Sequence, residues 1–98
     1  MAKQHRQVES LASMFRVLGD QTRLRALLAL QEGELNVSGI CSALRAPQPT
    51  VSRHLGILRM AGLVNNRRNG KEILYSVGGN ADGQARMLKM ILQAAHRL

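Results

Sequence analysis

Gln48-Pro49-Thr50-Val51-Ser52-Arg53-His54-Leu55-Gly56-Ile57-Leu58-Arg59-Met60-Ala61 is the stretch on which the fold turns. Read as a helix from about Pro49 to Ala61, it directs Val51, Leu55, Ile57 and Leu58 to one side. Proline suits the first helical turn, where the missing N–H would be unpaired anyway. The opposite side carries Gln48, Thr50, Ser52, Arg53 and Gly56, which are polar and small. Short hydrogen-bonding side chains with one arginine are what reading base edges in a DNA groove requires, because bulk keeps a helix out of the groove. A merely solvated helix more often displays Glu and Lys.

Downstream, Gly62 stops this helix, and two strand-like runs follow, 63–68 and 72–77, around Asn69-Gly70, a strong hairpin signal. Arg67, Arg68 and Lys71 cluster at its tip. A charged tip can simply oppose aggregation. Three cations beside a polar helix point instead to phosphate. Upstream, Val37, Ile40, Cys41 and Leu44 recur at helical spacing, so a short helix spans about 37–44 with Cys41 as a small buried hydrophobe.

Further upstream, a helix over about 21–31 is announced by Gly19 as a stop and Asp20 as an N-cap. Arg23 and Arg25 lie in its first turn, where the helix dipole disfavours cations, so another contact is expected to hold them, a buried structural ion pair ahead of a direct phosphate contact. In the first helix, about 7–18, Val8, Leu11, Ala12, Phe15 and Leu18 form one stripe and Met14 and Val17 lie off it. The last helix, about 84–97, has Leu88, Ile91, Leu92, Ala95 and Leu98 on one stripe, widened by Met87, Met90 and Ala94. Both terminal helices therefore carry more apolar surface than one packing partner needs, which points to a second contact such as another chain.

Composition narrows the class. The chain has 98 residues and a net charge of +8; aromatics make up only 2%, so Leu, Ile, Val, Met and Ala must build the core, which favours helices over a sheet sandwich. One cysteine excludes a disulfide framework and fits a reducing cytoplasm. No apolar run approaches the roughly 20 residues of a membrane span, so no membrane partner is expected. No nucleophile–base pair or carboxylate pair stands at usable spacing, so an enzyme is not expected. From Leu35 to Lys71 the cations Arg45, Arg53, Arg59, Arg67, Arg68 and Lys71 occur without one acid, while Glu34 and Glu72 bound the segment closely. A polyanion-facing surface is the better reading of that asymmetry.

The expected fold is therefore mainly α with a small β-hairpin, a winged helix-turn-helix of order α-α-α-α-β-β-α. Phe15-Arg16-Val17-Leu18-Gly19-Asp20-Gln21-Thr22-Arg23-Leu24-Arg25 resembles the "LxDxTRLxIL" opening of the ArsR/SmtB family of transcription regulators. Gln48 to Leu55 resembles that family's recognition helix, and Leu58-Arg59-Met60-Ala61-Gly62-Leu63-Val64 its exit into the wing. The resemblance implies one DNA-binding domain over 1–98, dimerised through helices 7–18 and 84–97, with the helix-turn-helix at 37–61 and the wing at 63–77. It implies base contacts from Gln48, Pro49, Thr50, Ser52 and Arg53. Phosphate contacts are expected from Arg45, Arg67, Arg68 and Lys71.

Many members of that family sense metals. The cysteine positions of the third-helix site are here Asn36 and Ser38, neither a soft ligand. The last-helix site would need Asp82 and ligands where Gln84, Ala95 and Leu98 stand, with His96 one position out of register. No metal site and no other cofactor is expected, and Cys41 alone cannot form an intrachain disulfide switch. Arg45 and Pro47 stand where a glycine and a polar helix cap are commoner in the family. The expectation is a cytoplasmic, homodimeric, sequence-specific repressor of an inverted-repeat operator in double-stranded DNA. Two other readings stay open: a basic architectural nucleic-acid binder without sequence preference, and a protein-interaction module on the same fold.

Overall fold

The computed structural model describes residues 2–78, 82–95 and 97. Its elements run α1 (Ala2–Leu18), α2 (Gln21–Gln31), α3 (Val37–Leu44), α4 (Gln48–Met60), β1 (Val64–Asn69), β2 (Glu72–Val77) and α5 (Asp82–Ala95). This is the expected winged helix-turn-helix order, with α3 and α4 as the helix pair and the β1–β2 hairpin as the wing. Leu27, Ile40, Val51, Leu55, Leu58, Leu63, Val64, Leu88 and Leu92 are fully buried and supply the centre of the core. The aliphatic composition thus does the work that aromatics do elsewhere. Cys41 packs against this core but is only half-buried.

Helix starts and stops follow local chemistry. Asp20 caps α2 by accepting the Arg23 N–H at 2.9 Å, and Asn36 caps α3 by accepting the Gly39 N–H at 2.8 Å. At the end of α4, Gly62 takes φ +76. Its N–H reaches the Arg59 carbonyl and the Leu63 N–H the Leu58 carbonyl, both at 2.9 Å. This double closure places Leu63 in the core and launches β1 directly from the helix end. The α4 start is different: Pro47 precedes it without any side-chain cap.

Three expectations need correcting. α1 begins at Ala2 rather than Gln7. Residues 2–6 show no apolar stripe, but Ala, Lys, Gln and Arg are good helix formers, and His5 and Glu9 meet at 3.0 Å one turn apart. The phase of α1 also differs: Met14 and Leu18 are buried, whereas Val8 (63% exposed) and Phe15 (53%) face outward. Two apolar stripes overlap on this helix, and spacing alone does not say which meets the core. Finally, Asn69 pairs with Glu72, so the turn residues are Gly70-Lys71 rather than Asn69-Gly70. Gly70 alone carries the positive φ of that pair, +66, the pattern of a turn with glycine first.

The connector between α2 and α3 joins the wing. Leu35 and Tyr75 exchange both backbone hydrogen bonds, at 3.2 and 2.8 Å, which makes Leu35 a one-residue third strand on β2.

Candidate nucleic-acid interface

The surface of interest is built on α4. Val51, His54, Leu55 and Leu58 recur at i, i+3, i+4, i+7 and are buried, which anchors one side of the helix. Gln48, Pro49, Ser52, Arg53 and Gly56 are exposed and Thr50 is half-buried, so the candidate base-contacting residues share the outward side. Ile57, expected inward, is exposed, because it sits beside the buried stripe rather than on it. A Cβ placed on Gly56 meets nothing within 4 Å, so packing within this chain does not require a glycine there. The side chains of Gln48, Ser52 and Arg53 carry no hydrogen bond to the rest of the chain among the described residues.

His54, 8% exposed, ties α4 to the helices behind it. Arg23 donates to its Nδ1 at 3.2 Å. Because a guanidinium has no acceptor, the imidazole accepts in this contact. Arg23 Nε also donates to the Val17 carbonyl at 2.6 Å, and Asp20 Oδ2 lies 3.7 Å from His54 Nδ1. One arginine thereby joins the end of α1, the start of α2 and the inner side of α4. Accepting the Arg23 backbone N–H holds the Asp20 carboxyl below its usual range, assisted by the charge of Arg23. Arg25 donates to the Leu44 carbonyl at the end of α3, at 2.9 Å. Both arginines have structural partners, but these are backbone carbonyls and the His54 ring rather than the expected buried ion pair.

The candidate phosphate contacts fall into two groups. Arg45 closes α3 in the left-handed conformation (φ 52, ψ 47), exposed in the turn before α4. Among the described residues it has no carboxylate partner, nor has Lys71. Arg68 reaches only the Gly70 carbonyl of its own turn, at 3.3 Å. Arg67, in contrast, donates from Nε and a terminal nitrogen to the two carboxylate oxygens of Glu34, at 2.8 and 2.9 Å. That pairing holds the Glu34 carboxyl below and the Arg67 guanidinium above their ordinary values. The Glu72 carboxylate accepts from Asn36 Nδ2 at 2.7 Å. Both acids that bound the acid-free segment in sequence thus tie the α2–α3 connector to the wing, Glu34 from the connector and Glu72 from β2. Sequence reading missed both contacts, although the positions of those acids at the edges of the basic window were the available signal.

Among the described residues no three His, Cys, Asp or Glu side chains come together. Asn36, at a metal-ligand position of the resembled family, spends its side chain on the α3 cap and on Glu72, and Ser38 offers only a hydroxyl. His96 and Leu98 lie outside the described residues, and of Asp82 and Gln84 only the helical backbone is described. None of the described helices is long and apolar enough to cross a membrane.

A helix pair with an exposed polar second helix, followed by a basic hairpin, defines a winged helix-turn-helix regulator. Residues 20–66 match the family model described as bacterial regulatory protein, arsR family. The arsenical resistance operon repressor of Escherichia coli is 48% identical over 63 residues, 63% of this chain and 54% of that protein. An uncharacterized HTH-type transcriptional regulator of Methanocaldococcus jannaschii is 43% identical over 70 residues, 70% of this chain and 79% of that protein. A solved homodimeric winged helix-turn-helix DNA-binding domain from Mycobacterium bovis, a possible ArsR-family transcriptional regulator, superposes with a TM-score of 0.80 at 26% identity. It covers 98% of this chain and 87% of that one. The chain belongs to the arsR family of regulatory proteins, whose members are transcriptional regulators rather than enzymes. It spans about half the length of several curated relatives that it matches.

Proposed function

We propose that this chain is a homodimeric repressor that reads an inverted repeat through the α4 helices of two copies. Gln48, Pro49, Thr50, Ser52 and Arg53 meet base edges, with Gln48 suited to adenine and Arg53 to guanine. Arg45, Arg67, Arg68 and Lys71 meet phosphates, which fixes register without carrying sequence information. The observation that carries this reading is the α4 face, where exposed Gln48, Ser52 and Arg53 have no hydrogen-bond partner among the described residues, on a helix locked from behind by buried Val51, His54, Leu55 and Leu58.

Dimerisation through α1 and α5 is supported by their outward apolar residues. Val8 and Phe15 on α1 and Met90 on α5 (68%) are exposed. Burying a Val, Phe or Met side chain contributes about 1.5–3 kcal/mol. Two copies present each residue twice, and a two-fold dimer explains an inverted repeat. We further propose that the chain responds to no metal ion at the family's third-helix position, where Asn36 is already engaged in the cap and the Glu72 contact.

Selection of bound duplexes from a random pool tests the reading. The expected product is an inverted repeat with half-sites about 10–10.5 base pairs apart, or a multiple of that. Zinc and chelator are expected to leave it unchanged. A pool without enrichment, bound nonetheless, replaces the repressor with the architectural reading.

A further inference from the structure

The Glu34–Arg67 pair has the geometry of a substitute contact. A carboxylate that meets Nε and a terminal nitrogen in parallel occupies the same fork that a guanidinium presents to a phosphate. The pair lies at the surface, Arg67 57% and Glu34 37% exposed, so burial does not commit either partner. Glu34 is nevertheless held in place. The next residue, Leu35, is bonded on both sides to Tyr75 of β2, and Asn36 is pinned between the Gly39 N–H and Glu72. The acid is thus delivered to Arg67 by a connector stitched along β2, while the pair itself stays open to solvent. Arg68 and Lys71, on the same wing, have no such carboxylate among the described residues.

We propose that Glu34 is a built-in phosphate mimic: it occupies the guanidinium fork of Arg67 in the free protein and competes with the DNA backbone for it. The proposal rests on the reading of the wing as a phosphate-binding element. Because phosphate contacts carry no sequence information, this competition lowers affinity for every duplex alike and leaves the preference between sequences intact. It also removes one cation per wing from counterion release, which makes binding less salt-dependent than the count of wing cations implies.

The test is a double-mutant cycle of Glu34→Gln and Arg67→Ala, with binding to the selected duplex and to a scrambled one followed across a salt series. Both residues are exposed, and thermal unfolding of each variant checks that the fold is kept. Glu34→Gln is expected to tighten binding to both duplexes by a similar factor, about 1.5- to fivefold per wing. The slope of log affinity against log salt is expected to steepen by up to about 0.9 per wing. In the Arg67→Ala background the gain is expected to vanish. Unchanged or weaker binding by Glu34→Gln overturns the proposal, since Glu34 would then be neutral or a support for the wing. A gain that survives without Arg67 overturns it too, as a general effect of removing a negative charge. If the wild-type chain binds no duplex, the DNA reading itself has failed, an outcome distinct from wild-type binding without a Glu34 effect.

Discussion

The α4 face and the wing meet the solvent in different states. Along α4, the side chains of Gln48, Ser52 and Arg53 are unpaired among the described residues, and the backbone of the helix is fixed by its buried side. On the wing, Arg67 is held by two hydrogen bonds to Glu34, and the strand beyond it is tied to the α2–α3 connector. The difference follows from what each surface would meet. Base edges vary from pair to pair, so a reader must keep its donors and acceptors free. Phosphates repeat along any duplex, so on the proposed reading an anion of the same form can occupy a wing arginine and lower affinity without touching sequence preference.

The sharpest way to break this contrast is to remove one residue from each side. Arg53→Ala is expected to lose about 1–3 kcal/mol of discrimination at one base position and to relax the preference there. Lys71→Ala is expected to weaken binding to selected and scrambled duplexes equally and to reduce the salt slope by about 0.9 per wing. Anisotropy titrations at several salt concentrations separate the two, and a Lys71 effect confined to the selected duplex would contradict the division of labour.

Gly56→Ala probes the groove side by size alone. Nothing within 4 Å opposes the new methyl group in the free protein. Replacing a mid-helix glycine stabilises the fold by about 0.5–1 kcal/mol. Thermal unfolding should therefore rise while affinity for the selected duplex falls, a combination that a face pointing away from DNA would not produce.

A smaller effect belongs to the scaffold behind both surfaces. Asp20→Ala removes the α2 cap and is expected to lower stability by about 1 kcal/mol near neutral pH. The folded-state carboxyl lies below its ordinary 3.8, so its contribution is present above that pH and is lost as pH falls through the lowered value. Unfolding of the two proteins at a series of pH values should show their difference closing only in acid.

Much of the fold was legible in the chain because local rules and tertiary packing agree. Asp20 marks the start of α2, Gly62 marks the end of α4, and the buried spacing of Val51, Leu55 and Leu58 leaves the polar side of α4 outward. α1 was harder, since Val8–Phe15 and Met14–Leu18 both satisfy helical spacing and only the assembled core distinguishes them. The hairpin slipped by one residue because glycine can serve either turn position, with Asn69 or Lys71 as its companion. The Glu34–Arg67 contact joins positions 33 residues apart, and no periodicity reports that separation.

The central claim is that the free side chains of α4 read sequence while the wing supplies affinity. Its most direct test is the affinity of the wild-type chain and of a Gln48→Ala, Arg53→Ala double variant for the selected and scrambled duplexes at one fixed salt concentration. The wild type is expected to prefer the selected duplex by about 10³-fold or more. The double variant should lose most of that preference while its affinity for the scrambled duplex stays nearly unchanged. An equal loss on both duplexes, or a wild-type chain that binds both alike, would contradict the account.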